Sequence, residues 1–153
     1  MTLDLVLNGR PTTFEAEPAE TLLEVLRREA GLLSVRHTCG IGVCGACTVL
    51  LDGEPVSGCL LRAAQAAGRG VTTLEGIPAE HPVRRAFAAE HAFQCGYCTP
   101  GMVLTSVRLL EEIPDPSDDQ IADGLGGNLC RCGSYVKIVD AVRRAAGDRS
   151  EVR

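Results

Sequence analysis

Cys39-Gly40-Ile41-Gly42-Val43-Cys44-Gly45-Ala46-Cys47 places three cysteines and three glycines within nine residues. Cys59 follows after eleven more, giving the spacing C-x4-C-x2-C-x11-C. One tight loop can then present three thiolates to a compact inorganic core while a fourth arrives from a nearby strand. Gly40, Gly42 and Gly45 permit unusual φ angles and put no Cβ in the way, so backbone N–H groups can point at the sulfurs of such a core. This is the plant-type order for a 2Fe-2S cluster. Zinc is the competing occupant, but its knuckles usually come as two CxxC pairs, which this loop is not.

Outward from the loop, the N-terminal side alternates Leu3, Leu5 and Leu7 with less buried positions, then has Asn8-Gly9 and a Thr-rich run to Glu17. This predicts a β-hairpin closed by a primed turn. Thr21-Leu22-Leu23-Glu24 has the form of a capping box, with Leu22, Leu23 and Leu26 on one face of a helix running to about Gly31. On the C-terminal side, Cys47–Leu51 and Glu54–Ser57 flank Asp52-Gly53, a second hairpin signal. Strand, helix, loop and hairpin together predict a β-grasp arrangement, a small mixed sheet with a helix packed on it.

From about Pro78 the pattern turns helical. Pro82 to Phe93 is Ala-rich; Thr99-Pro100 reads as an N-cap before proline at the first helical position, opening a helix to about Glu112. Ser117 with Gln120 offers a capping box for a short third helix, and Tyr135, Ile138, Val139 and Val142 share a face of a fourth that ends near Gly147. The fold class expected is α+β: a ferredoxin-like β-grasp domain over residues 1–77, a four-helix domain over 78–147, and a flexible polar tail over 148–153.

The helical half carries its own four cysteines. Cys95 and Cys98 form a CxxC pair, and Cys130 and Cys132 a CxC pair. Each pair sits beside a helix start, where free N–H groups and a partial positive charge suit an anionic thiolate cluster. Spacing alone leaves both a second 2Fe-2S cluster and a zinc site open here. A redox centre beside another makes an electron wire, which favours iron.

Composition bounds the rest. In 153 residues there are eight cysteines, three Phe, two Tyr, two Met and no Trp, so the core rests on Leu, Val, Ile and Ala. A net charge of -5 with no basic stripe argues against nucleic acid as a partner. No stretch approaches a membrane span, and the N-terminus lacks a basic region followed by an apolar run, so the expected location is cytoplasmic, with export alongside a partner as the alternative. Reduced cytosolic thiols are metal ligands more often than disulfides. His37, His81 and His91 read as loop, helix-start or surface residues. Arg131 either screens cluster charge or contacts a partner, and Phe87, Phe93, Tyr97 and Tyr135 read as packing around the second cysteine set.

Four ordered segments, Cys39 to Val49, Thr73-Leu74-Glu75-Gly76, Gln94-Cys95-Gly96-Tyr97-Cys98-Thr99-Pro100-Gly101-Met102 and Gly127-Asn128-Leu129-Cys130-Arg131-Cys132, resemble the iron-sulfur subunit of the molybdenum hydroxylases, the group of xanthine dehydrogenase, aldehyde oxidoreductase and aerobic carbon monoxide dehydrogenase. The resemblance runs from Leu5 to about Ala146. It implies two 2Fe-2S clusters, held by Cys39, Cys44, Cys47 and Cys59 and by Cys95, Cys98, Cys130 and Cys132. It also implies a molybdopterin, in its cytosine dinucleotide form, on a separate large subunit, with FAD on a medium subunit.

By the same resemblance Gln94 hydrogen-bonds the pterin, Cys132 lies on the electron path from it, and the chain itself holds no catalytic residue or substrate pocket. Gly133-Ser134-Tyr135 stands where the family often has Thr-Gly-Tyr, which leaves subfamily and terminal acceptor open between a flavin and another carrier. The function expected is electron transfer within an oxidoreductase complex. A free-standing two-cluster ferredoxin and a zinc-stabilised binding module are the competing readings.

Overall fold

The computed structural model describes residues 1–150, with side chains described to Gly147. Leu3 and Leu5 are buried on one face of β1 (Thr2–Leu7), while Thr2, Asp4 and Val6 face out. β2 (Arg10–Glu15) pairs antiparallel with it through a two-residue turn in which Asn8 and Gly9 have φ of 50° and 80°. Those angles are the primed turn that Asn-Gly predicts. β3 (Thr48–Leu51) and β4 (Glu54–Ser57) form the second hairpin, with Asp52 and Gly53 at φ 50° and 87°.

β5 (Gly70–Thr72) lies parallel to β1 and antiparallel to β3, giving the sheet order β2-β1-β5-β3-β4. This central strand was not expected. With three residues and one buried apolar side chain, Val71, it is too short to show a period.

α1 (Leu22–Arg28) buries Leu22, Leu23, Val25 and Leu26 in the sheet's core and carries the full capping box between Thr21 and Glu24. It ends at Arg28, short of the expected Gly31; Gly31, at φ 64°, turns the chain so that Leu32 N–H reaches the Leu26 carbonyl at 3.0 Å. The mixed sheet with its helix is the β-grasp architecture, and four helices follow it.

These are α2 (Pro82–Ala89), α3 (Thr99–Glu112), α4 (Asp118–Gly124) and α5 (Tyr135–Ser150). α2 stops at Ala89, four residues before Phe93, and His91 beyond it adopts a φ of 50°. His81 caps it, its Nδ1 accepting from Val83 N–H at 3.3 Å. α3 takes Cys98 as its N-cap, one residue earlier than Thr99, with no side-chain cap. α4 has the capping box of Ser117 and Gln120. α5 runs past Gly147 to Ser150, so part of the stretch 148–153 expected to be a tail is helical; 151–153 lie outside the described residues.

α3 is buried nearly all round, from Pro100 to Leu110 apart from Arg108, because the other helices cover one side and the β3–β4 hairpin the other. β3 is the shared wall. Val49 and Leu51 point into the sheet's core, whereas Leu50 joins the helical core with Met102, Leu104, Leu110, Ile121 and Ile138. That two-sided burial explains why Thr48–Leu51 reads as a continuous apolar run rather than an alternating one. Arg108 on α3 also pairs with Glu54 on β4 at 2.7 Å. Among the described residues no helix is long and apolar enough to cross a membrane.

Candidate metal centres

The glycine loop takes the conformation its composition permits, with Gly40, Gly42 and Gly45 at φ of 68°, 75° and 69°. The turns aim backbone N–H groups at sulfur. Ile41 N–H donates to Cys39 Sγ at 3.5 Å. The N–H groups of Ile41, Cys44 and Val43 together hold the Cys39 thiol down at about 6, against 9.0 for a free thiol. Cys39 pairs with the Cys44 thiol, and Cys47 with Cys59; the charge of Cys44 in turn acts on Cys47. Burial pushes Cys47 up to about 11, so it ionises near neutral pH only when a cation is beside it.

The helical set repeats this plan. Cys95 pairs with Cys132 and Cys98 with Cys130, and the charges of Cys130 and Cys95 both reach Cys98. Tyr97 N–H donates to Cys95 Sγ at 3.5 Å, and Ser134 N–H to Cys130 Sγ at 3.4 Å. The first of these, with the Cys132 thiol, lowers Cys95. Burial works against ionisation of Cys130, but N–H donation from Ser134 and the Cys98 thiol outweigh it and leave Cys130 lowered. Burial drives Cys98 up to about 12. Thr99 Oγ1, adjacent to Cys98, is buried with no hydrogen-bond partner in the protein.

These observations test the fit of an inorganic core. Each set is two pairs of thiols, the donor arrangement of a core of two irons with two terminal thiolates apiece. Among the described residues no three His, Cys, Asp or Glu side chains are grouped to hold a single metal ion. Each set has one thiol too buried to ionise alone, backbone donors directed at sulfur, and in the helical set an orphaned hydroxyl. Donors of this kind stabilise bridging and terminal sulfur in a cluster.

The two sets are joined directly. Leu129 N–H donates to the Cys44 carbonyl at 2.9 Å, linking the residue before Cys130 to a residue of the first set. Asn128, buried, donates to the Gly45 carbonyl at 3.0 Å and to Thr48 Oγ1 at 3.2 Å. Tyr97 O–H donates to the His37 carbonyl at 2.9 Å, and the Arg36 guanidinium lies 5.1 Å from the Tyr97 ring centroid.

The 2Fe-2S iron-sulfur cluster binding domain family matches residues 5–74, and the [2Fe-2S] binding domain family matches residues 73–143. A nicotinate dehydrogenase subunit of Pseudomonas putida is 50% identical over 151 residues, covering 97% of this chain and 96% of that one. The nicotinate dehydrogenase small FeS subunit of Eubacterium barkeri is 45% identical over 148 residues, 95% of this chain and 94% of its own. Among solved structures, quinoline 2-oxidoreductase from Pseudomonas putida 86 superposes with a TM-score of 0.93 at 39% identity, over 99% of this chain and 96% of that chain.

The chain belongs to the iron-sulfur subunits of the molybdenum hydroxylases. It is the electron-transfer subunit of an oxidoreductase complex and binds two 2Fe-2S clusters.

In this iron-sulfur subunit Cys95 and Cys132 are exposed, Cys47 and Cys130 buried, and the other four thiols between. Gln94 is exposed, one residue before Cys95. His37 and Arg131 are exposed as well. Of the four aromatics expected to pack near the second set, only Phe87 is buried; Phe93, Tyr97 and Tyr135 are 42%, 42% and 45% exposed. Tyr135 nonetheless touches the site, accepting from Cys130 N–H through its hydroxyl at 2.8 Å.

Sequence reasoning missed the roles of Asn128, Thr48 and Thr105. Asn128 stands two residues before Cys130, but no spacing rule connects it to Gly45, 83 residues earlier in the chain.

Proposed function

We propose that this subunit takes up electrons at its helical end and delivers them from its β-grasp end. In this reading Cys95, Cys98, Cys130 and Cys132 hold one 2Fe-2S cluster and Cys39, Cys44, Cys47 and Cys59 the other. The observation that carries it is the hydrogen bond from Leu129 N–H to the Cys44 carbonyl, which joins the two thiol sets through one short polar contact. When bound, each cluster supplies a one-electron redox centre. The chain's own residues fix where those centres sit, donate to their sulfurs and shut water out of the buried side.

The exposed end bearing Gln94, Cys95 and Cys132 faces a large subunit that holds molybdopterin in its cytosine dinucleotide form. There Gln94 hydrogen-bonds the pterin and Cys132 is the entry ligand. The β-grasp end serves a medium FAD subunit or another acceptor, and the complex works in the cytoplasm. The chain divides near residues 77 and 78. Leu74 and Ile77 already pack with the helical core, so the connecting segment belongs by packing to that half.

Relatives named nicotinate dehydrogenase, nicotine 6-hydroxylase and isoquinoline 1-oxidoreductase favour an aromatic N-heterocycle as the substrate of the complex, with nicotinate first among them. A free-standing carrier is disfavoured because relatives of nearly equal length carry the names of subunits.

Co-purification of the complex followed by anaerobic addition of nicotinate is the test. Bleaching of the visible iron-sulfur absorbance by nicotinate supports both relay and substrate class. Bleaching by dithionite but by no N-heterocycle rejects the substrate class, and purification of this chain alone from its native host rejects the subunit reading.

A further inference from the structure

We propose that Asn128 is the positioning residue that sets the separation and relative orientation of the two cluster loops. This rests on the reading above, in which those loops hold the clusters.

Asn128 is 5% exposed and uses its whole carboxamide. Nδ2 donates to the Gly45 carbonyl at 3.0 Å and to Thr48 Oγ1 at 3.2 Å, while Oδ1 accepts from Thr105 Oγ1 at 2.9 Å. A carbonyl can only accept, so the Gly45 contact fixes which end of the amide is nitrogen. Thr48 Oγ1 in turn donates to the same Gly45 carbonyl at 2.7 Å. Both the nitrogen and the oxygen of the amide are engaged, and the side chain has one orientation that makes all three bonds.

Each partner stands on a segment that carries thiols. Gly45 lies between Cys44 and Cys47, Thr48 follows Cys47, Asn128 precedes Cys130 by two residues, and Thr105 is on the helix that Cys98 opens.

The backbone around the amide leaves no slack. A Cβ on Gly45 would lie 2.4 Å from the Gly127 carbonyl oxygen, and a Cβ on Gly101 would lie 2.4 Å from the Gly45 carbonyl oxygen. Loop, α3 and the Asn128 segment therefore meet backbone to backbone, with the carboxamide as the polar pin. A second hydrogen bond between the sets, from Tyr97 O–H to the His37 carbonyl, is exposed to water and is a weaker constraint.

The experiment compares Asn128→Ala, Asn128→Asp, Thr105→Val and Thr105→Ser with wild type in the purified complex. Iron per chain and the EPR spectrum of the fully reduced protein are recorded for each. Magnetic interaction between two reduced clusters depends steeply on their distance and orientation, whereas a residue of merely local structural importance leaves it unchanged as long as both clusters are present.

The expected result is full iron in Thr105→Val and Asn128→Ala with the intercluster splitting lost or narrowed, and restoration of the wild-type splitting in Thr105→Ser. Asn128→Asp keeps the shape but sets a carboxylate oxygen against the Gly45 carbonyl, so its splitting changes too. An unaltered splitting at full iron in Asn128→Ala overturns the proposal. If Asn128→Ala loses its clusters, an unaltered splitting in Thr105→Val overturns it instead. Wild-type protein lacking two cluster signals overturns the underlying reading, a separate outcome.

Discussion

Leu129 N–H points at the carbonyl of Cys44 across 2.9 Å, although the two residues are distant in sequence and lie in separately matched iron-sulfur segments. Leu129 itself is half exposed, so its side chain does not explain why it sits there; its backbone does. Removing that donor should therefore be informative, with proline also constraining the backbone at 129 and at Asn128 before it. Leu129→Pro deletes that N–H, at a stability cost of roughly 0.5–1.5 kcal/mol for the bond. The expected outcome is retained iron with slower reduction of the β-grasp cluster after the helical one in rapid-mixing experiments.

The paired thiols predict a clean separation of the two centres. Cys130→Ser is expected to remove the helical cluster and leave the β-grasp EPR signal, with half the iron lost; Cys47→Ser is expected to do the reverse. Loss of all iron from either variant would show that the two sites do not assemble independently. Iron and labile sulfide assays with low-temperature EPR make the check.

Gly45→Ala meets two obstacles at once. A φ of 69° costs an L-residue roughly 1–2 kcal/mol, and its Cβ would approach the Gly127 carbonyl oxygen to 2.4 Å. The variant is expected to lose at least that much stability in urea unfolding. It should also incorporate less iron, because the same turn carries the N–H donors around Cys39.

Much of this was legible in the sequence. Asn8-Gly9 and Asp52-Gly53 specify their turns through local φ preferences, and Thr21 with Glu24 specifies a helix start through local hydrogen bonds. The spacing of Cys39, Cys44 and Cys47 on one loop is local too, whereas Cys95 and Cys98 meet Cys130 and Cys132 from a separate segment. What was hidden is non-local. β5 exists because β1 and β3 leave a gap that Gly70–Thr72 fills, and nothing in its own three residues demands a strand. Asn128 matters through partners on three other segments. Thr99 was displaced from the cap by Cys98, whose αR backbone already belongs to the helix's entry turn.

Acid should act partly through Glu75, which ties the segment after β5 to Ser34 upstream of the cysteine loop. Its carboxylate accepts from Ser34 Oγ and Thr73 Oγ1, each at 2.6 Å. Desolvation pushes its pKa up, but these hydrogen bonds outweigh that and hold it below the usual 4.5. A carboxyl lowered on folding stabilises the fold fully above its unfolded pKa and loses that contribution as pH falls through the folded value. Glu75→Gln is therefore expected to be less stable than wild type at pH 7. Its further loss on acidification below pH 4.5 should be shallower, as followed by urea midpoints across pH.

One chain holds two 2Fe-2S centres in sequence. Iron and sulfide analysis combined with EPR of the dithionite-reduced protein at several temperatures tests it most directly. The expected result is about four irons per chain and two distinct half-integer-spin signals. A single signal accompanied by zinc would contradict it, leaving one cluster in the β-grasp half and a structural metal in the helices.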